Sequence, residues 1–313
     1  MTFHLQIARN AAIMLVAAGF LWSGGAGLPG LQQAQAQTQT PGPDVCAGCH
    51  ESQVKTFMGT KHGNKVDART PISQGGCGSC HTGDMAAHVK AGGGKDVGGL
   101  VSLSSKTIAQ SDKDKLCIGC HQKDPTRMNW LSSTHANRDT GCTSCHQIHT
   151  AHDQVRDKLT QPNVCFACHK EQRVQINKPS RHPILEGKVS CADCHNVHGS
   201  NPKHMVKNSV NEVCYQCHME KRGPFVHNHQ PVTEDCSSCH APHGSSNPGM
   251  LKVRGPLLCQ SCHSQQGHPS FAYGPSGLPG GSSPATSLAL GNCTNCHSQV
   301  HGSNHPSGSS LTR

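Results

Sequence analysis

The sequence predicts a chain of short helices and loops, with little regular secondary structure, folded as five repeats around a core that the polypeptide does not itself supply. Three observations lead there. All twenty cysteines fall in ten copies of one pentapeptide, CxxCH. The ten copies form five pairs with a shared layout. Aromatic residues are only 3% of the chain and Leu, Ile, Val and Phe are sparse, too little apolar material for an ordinary core.

The motifs place Cys46 with Cys49, Cys77 with Cys80, Cys117 with Cys120, Cys142 with Cys145 and Cys165 with Cys168. They continue with Cys191 and Cys194, Cys214 and Cys217, Cys236 and Cys239, Cys259 and Cys262, and Cys293 and Cys296. A histidine follows each second cysteine directly: His50, His81, His121, His146, His169, His195, His218, His240, His263 and His297. That spacing attaches haem c. Two thiols form thioethers with the two vinyl groups of one haem, and the adjacent imidazole lies under the macrocycle as the proximal iron ligand. Paired cysteines also build zinc knuckles and disulfide scaffolds. Ten histidines in register speak against both readings, and no thiol is left for a catalytic nucleophile. The expected fold class is therefore a multihaem cytochrome c with ten covalent haems as its core. Without them the chain reads as disordered, a case of cofactor binding coupled to folding.

The N-terminal segment reads as an export signal. Arg9 precedes an apolar run from Ala11 to Trp22, and Ala34-Gln35-Ala36 offers a cleavage site. We expect residues 1–36 to be removed, leaving 37–313 as the decahaem domain. The run is too short for a membrane span, and no later stretch nears the roughly 20 apolar residues one requires. Covalent haem attachment occurs outside the cytoplasm, so the expected compartment is the periplasm of a Gram-negative cell. The formal charge of +9 would suggest an anionic partner such as nucleic acid. Ten haems, however, bring roughly 20 propionate charges for these basic residues to neutralise, so no nucleic-acid role is expected.

Within each repeat the order is CxxCH, a spacer with a histidine, a second CxxCH, and a further histidine close behind. The modules span about 44–105, 106–155, 156–205, 206–250 and 251–313. The three central copies carry His135 and His149, His182 and His198, and His229 and His243. The outer copies carry His62 with a delayed His88, and an early His268 with His301. These ten are the candidate distal iron ligands, with His227 an alternative to His229. His152, His204 and His305 are in excess, and Met58, Met85, Met128, Met205, Met219 and Met250 hold no fixed place in the repeat.

Histidine on both faces of an iron leaves no position for substrate, so this inventory favours electron transfer over catalysis. A histidine three residues behind a proximal one, as His149 follows His146, cannot swing round to the opposite face of the same haem. It has to serve a neighbour. We expect His149, His198 and His243 to cap the haems of Cys117, Cys165 and Cys214 in their own modules. His135, His182 and His229 are then expected to cap those of Cys142, Cys191 and Cys236, tying the two haems of a module together.

Other signals are weak. The glycine-rich stretch 91–99 contains Lys95, but Asp96 follows it where a phosphate-binding loop needs Ser or Thr, so it reads as a plain loop. Segment 274–284 and the tail after His301 are rich in Gly, Pro and Ser and read as connections. Short helices are expected on the CxxCH segments, with stops at His198-Gly199 and His243-Gly244, and strands have almost no support.

Five paired modules with CxxCHxxHG in the middle and an ending of CTNCHSQVHGSNHPSG resemble a known family. It is the decahaem periplasmic subunit of outer-membrane porin-cytochrome conduits, the MtrA/DmsE type. The resemblance covers essentially the whole chain after the leader. It implies bis-histidine haems in one continuous chain, held inside an outer-membrane β-barrel porin. It also implies exchange with a periplasmic or inner-membrane multihaem cytochrome, and with an extracellular one. A physical argument agrees. Nine gaps at the about 4.5–7 Å of touching rings give a wire of about 40–60 Å, and a bilayer with headgroups is about 40–45 Å thick. A chain with no span of its own would need a closed barrel around it to lie at that depth. The expected function is electron relay between periplasm and cell exterior, in extracellular metal reduction or iron oxidation, without a substrate site of its own. The rivals are a soluble periplasmic donor to a terminal reductase and a multihaem oxyanion reductase.

Overall fold

The computed structural model describes residues 41–199, 201–263 and 292–313. The leader with its cleavage site, segment 274–284 and His268 lie outside the described residues. The described residues belong to one unit, Thr40–Arg313.

The two motifs of a module are seated differently. First motifs lie in or at the end of α-helices: Pro43–Met58, Gln110–His121, Gln161–Phe166, Val210–Cys214 and Gly255–Gln260. Their starts carry the expected signals, with proline in the first turn at Pro43, Pro162 and Pro256 and a Ser209 side chain accepting from Glu212 N. Second motifs occupy single turns: Gly76–Ser79, Cys142–Ser144, Cys191–Cys194, Cys236–Ser238 and Cys293–Asn295. Short polar or glycine residues start them, as where Asp235 accepts from Ser237 N. One geometry is common to both seats. The motif histidine N–H bonds the carbonyl of the first cysteine, at 2.9 Å for His81, His169 and His297. That single helical turn brings residues i, i+3 and i+4 to one side, which is what two vinyl groups and one iron require of CxxCH.

A polar clamp joins the two motifs of the central modules. Asp114, Gln161 and Asn211 lie one turn before a first motif and are 4%, 8% and 6% exposed. Asp114 Oδ1 accepts from Cys142 N (3.0 Å), Gln161 Oε1 from Ala192 N (3.2 Å) and Asn211 Oδ1 from Cys236 N (2.7 Å). Asp114 also accepts from Gln110 Nε2 and from the indole of buried Trp130, both at 2.9 Å. Burying such groups is tolerable because each is hydrogen-bonded.

Behind most second motifs the chain loops out and returns, making the isolated bridges His195–Met205 and His240–Leu251. Further bridges join neighbouring modules, Ser180 to Ser245 and His227 to Ser303. There are no strands among the described residues, as expected. Six apolar side chains are buried among them, Phe57, Trp130, Phe166, Ile176, Ile184 and Val213, and one small cluster forms around Phe166, Ile176 and Ile184. This thin apolar interior is what a haem core leaves to the polypeptide.

The glycines after the trailing histidines are not helix stops, contrary to expectation. The preceding turns end at Cys194 and Ser238, before His198 and His243 are reached. Gly244 adopts φ +136°, and a Cβ there would lie 2.3 Å from the Gln175 carbonyl of the preceding module. It marks close approach of two chains rather than the end of a helix.

Candidate haem-binding sites

Among the described residues, nine of the proximal imidazoles face a second imidazole at nearly constant distance. Ring centroids are 6.4 Å apart for His50 and His88, 5.9 Å for His121 and His62, and 6.1 Å for His81 and His149. The series continues with His169 and His135 (6.1 Å), His146 and His198 (6.1 Å), and His218 and His182 (6.3 Å). It ends with His195 and His243 (5.9 Å), His263 and His229 (6.1 Å), and His240 and His301 (6.2 Å). A metal–imidazole bond of about 2.0–2.1 Å, with the ring centroid about 1.2 Å beyond the nitrogen, puts two ligands on opposite faces of one iron about 6.4 Å apart. The pairs fit a haem iron between them.

Every expected distal histidine in the described residues faces a proximal one, but the six for which a partner was expected face a different one. His149 faces His81, His198 faces His146 and His243 faces His195, each a second motif of the preceding module. His135 faces His169, His182 faces His218 and His229 faces His263, each a first motif of the following module. Pairing within the module is therefore replaced by exchange across module boundaries. In the central modules the polar clamp sets both motifs side by side, and their spacer and trailing histidines meet the neighbouring modules. His62 and His301 follow the same rule, while His88 turns back to His50 of its own module. Between His227 and His229 the ring pair falls to His229.

The second ring nitrogen orients the imidazoles. Nδ1 donates to a backbone carbonyl at His81 (Val101, 3.0 Å), His182 (Pro242, 2.9 Å), His229 (Val300, 2.9 Å) and His240 (Gly249, 2.8 Å). His149 reaches Gln53 O at 3.2 Å and His243 reaches Gln175 Oε1 at 3.0 Å. Engaging Nδ1 fixes the tautomer that leaves Nε2 free for a metal. Burial also lowers the pKa of His62, His121, His195, His243 and His301, and holds His198 at about 4, keeping these rings in the neutral form a metal needs.

The thiols give the order of the sites. Cys46 and Cys77, Cys117 and Cys142, Cys165 and Cys191, Cys214 and Cys236, and Cys259 and Cys293 make side-chain contact within modules. Between modules Cys80 lies within electrostatic reach of Cys117 and Cys120, Cys145 of Cys168, Cys194 of Cys217 and Cys239 of Cys262. All nine steps between consecutive motifs are bridged in this way. Burial, then the facing thiol, pushes Cys77 up to about 11 and Cys214 up to about 12. These shifts concern the polypeptide before attachment, because a thioether sulfur has no proton.

The remaining polar atoms also fit haem. Arg127 Nε, Arg181 Nε and His227 Nε2 are buried without a hydrogen-bond partner among the described residues, donors suited to propionates. No group of three or more His, Cys, Asp or Glu side chains is arranged among the described residues to hold a free metal ion. No helix there is long and apolar enough to cross a membrane. Sequence reasoning missed Asp114, Gln161 and Asn211, whose only signal is a polar side chain one turn ahead of a first motif.

Comparison with known proteins bears on the CxxCH motifs. Residues 182–223 and 229–268 match the doubled CXXCH motif family, and residues 77–160 match the family of NrfB-like cytochrome c-type proteins. The multiheme cytochrome MtrA of Shewanella baltica (strain OS185) is 44% identical over 287 residues, 90% of this chain and 84% of that protein. With CxxCH turns that carry covalent c-type haem, the chain belongs to the MtrA family of multihaem electron-transfer cytochromes.

Proposed function

We propose that the protein conducts electrons along ten covalently bound haems in single file, inside an outer-membrane porin that connects the periplasm with the cell exterior. Each haem, once bound, would accept and release one electron by exchange between ferric and ferrous iron. The ring pairs would supply both axial ligands to nine irons among the described residues, and His268 remains the expected distal ligand in the last module. Histidine on both faces denies substrate an open iron position, which favours a relay over an oxyanion reductase. The polypeptide attaches through paired thioethers, holds the imidazole planes through Nδ1 acceptors, and orders neighbouring sites through the clamps.

The observation that carries this reading is that all nine steps between consecutive motifs are bridged, by thiol contact within modules and by thiols within electrostatic reach of one another between them. A storage cluster would gain from sites far apart in the chain meeting one another. A line gives the length a membrane crossing requires, and a porin would shield its polar surface from lipid. Periplasmic localisation, cleavage of residues 1–36, and partners of the porin and multihaem-cytochrome type follow from the same reading and from kinship with MtrA. Both extracellular metal reduction and iron oxidation are covered, since the terminal partners set the direction. Purification from outer membranes tests it: a β-barrel protein should co-purify in stoichiometric amount, and the pair should pass electrons across proteoliposomes. A decahaem protein recovered wholly in the soluble fraction, with no barrel attached, would refute the conduit.

A further inference from the structure

The five second motifs invite comparison, because their proximal histidines use Nδ1 in two different ways. His81, His240 and His297 donate to the carbonyls of Val101, Gly249 and Ser310 at 3.0, 2.8 and 2.6 Å. His195 bonds the carbonyl of His204. In each case the chain behind the motif returns and offers a neutral backbone acceptor. His146 differs. Its Nδ1 lies 2.7 Å from Oδ2 of Asp153, a carboxylate whose other oxygen accepts from Gln147 N at 3.3 Å and fixes its position. Asp153 retains only 16% side-chain exposure, so solvent screens it weakly.

A charged acceptor strengthens this bond and draws the Nδ1 proton away from the ring. The imidazole becomes a stronger donor through Nε2, which stabilises ferric over ferrous iron. The nearby negative charge acts in the same direction. On the opposite side, Arg127 is within electrostatic reach of His198, but Asp124 pairs with it and opposes its effect there. The unbalanced charge is that of Asp153.

We infer that Asp153 is a positioning residue that lowers the potential of the haem attached through Cys142 and Cys145 below those of the other second-motif haems. The inference rests on the bis-histidine reading of His146 and His198. It gives the wire a dip at its fourth place, so an electron takes one uphill step before running on. The carbonyl-bonded sites place no such step at the equivalent haems.

Four single variants and one double variant test this in the intact decahaem protein. In Asp153→Asn, mass should confirm ten haems, and redox titration followed by electron paramagnetic resonance should show one low-spin ferric component moved to higher potential. Asp153→Glu should restore the original value, and Asp157→Asn, four residues on, should leave it in place. The haem is identified with His198→Ala, which should mark that one iron as high-spin, and adding Asp153→Asn should move this component upward. If His198→Ala yields no high-spin iron, the ligand reading and the inference fall together. If it does, and Asp153→Asn leaves every midpoint where it was, the inference alone is wrong.

Discussion

The central junctions and the first module solve one problem in opposite ways. At each junction among modules two, three, four and five, the earlier module lends its spacer histidine forward and the later its trailing histidine back, and the lent residues run side by side. The carbonyls just ahead of His198, His243 and His301 accept from His135, His182 and His229 of the preceding module, at 3.3, 2.9 and 2.9 Å. The first module lends His62 forward, but residues 1–43 hold no CxxCH to receive its trailing histidine. His88 sits instead on the helix Met85–Lys90, seven residues behind His81, and turns back to His50. An array whose units complete one another has to change at its end, and the delayed spacing of His88 is that change.

The largest expected difference between centre and end lies in conduction. Replacing Cys165 and Cys168 by alanine removes an interior haem and should abolish transport across proteoliposomes carrying the protein with its porin. Replacing Cys46 and Cys49 should leave internal conduction intact and weaken exchange with one partner only. Both variants need nine haems by mass and an assembled complex. An interior deletion that conducts at the normal rate would mean that the haems do not act in series.

Ligand exchange predicts a second difference. His198→Ala should turn one iron high-spin, the one bound through Cys142 and Cys145, and should also loosen the second module from the third, raising proteolysis between the two. His88→Ala should turn the iron at Cys46 and Cys49 high-spin and leave every junction protected. Peptide mapping with electron paramagnetic resonance reads both effects. Were the altered iron in His198→Ala the one at Cys165 and Cys168, ligation would lie within the module after all.

How much of this was legible in the sequence differs by level. CxxCH states its chemistry locally, because a thioether pair and a proximal imidazole need only one helical turn. Ligand exchange does not, since the spacing around His149 excludes its own haem but says nothing about which neighbour lies nearest. That choice belongs to the clamp, and the clamp uses three residue types, Asp114, Gln161 and Asn211, at offsets of three or four from the cysteine, so it shows no repeated letter. The irregular His88 looked like a departure from the module, and only the geometry makes it a cap.

The clamp should matter more at the centre than at the first module, for which no equivalent is found among the described residues. Asp114→Ala takes the acceptor from the buried Trp130 indole and from the half-buried Cys142 N, and a buried donor left unsatisfied costs roughly 1–3 kcal/mol. Urea unfolding should show a loss of roughly 2–5 kcal/mol with ten haems still attached. A change within about 0.5 kcal/mol, the range of ordinary surface substitutions, would show that the thioethers alone set the module.

The smallest contrast separates two glycines that occupy the same place in the repeat. Gly244 follows His243 at φ +136°, where its Cβ would meet a backbone carbonyl, that of Gln175, at 2.3 Å. Gly199 follows His198 without a positive φ, and its Cβ would meet the side-chain amide of Asn196, which can swing away. Alanine at 244 has to combine an unfavourable backbone conformation with displacement of the neighbouring module, a penalty of about 1–3 kcal/mol. Alanine at 199 needs one rotamer change, about 0.5–1.5 kcal/mol at most. The difference should appear in thermal unfolding of the two holo-proteins and in the line shape of the iron between His195 and His243, which lies beside Gly244. Equal behaviour of the two variants would mean that the third and fourth modules meet less closely than the second and third, and that the glycine serves the turn alone.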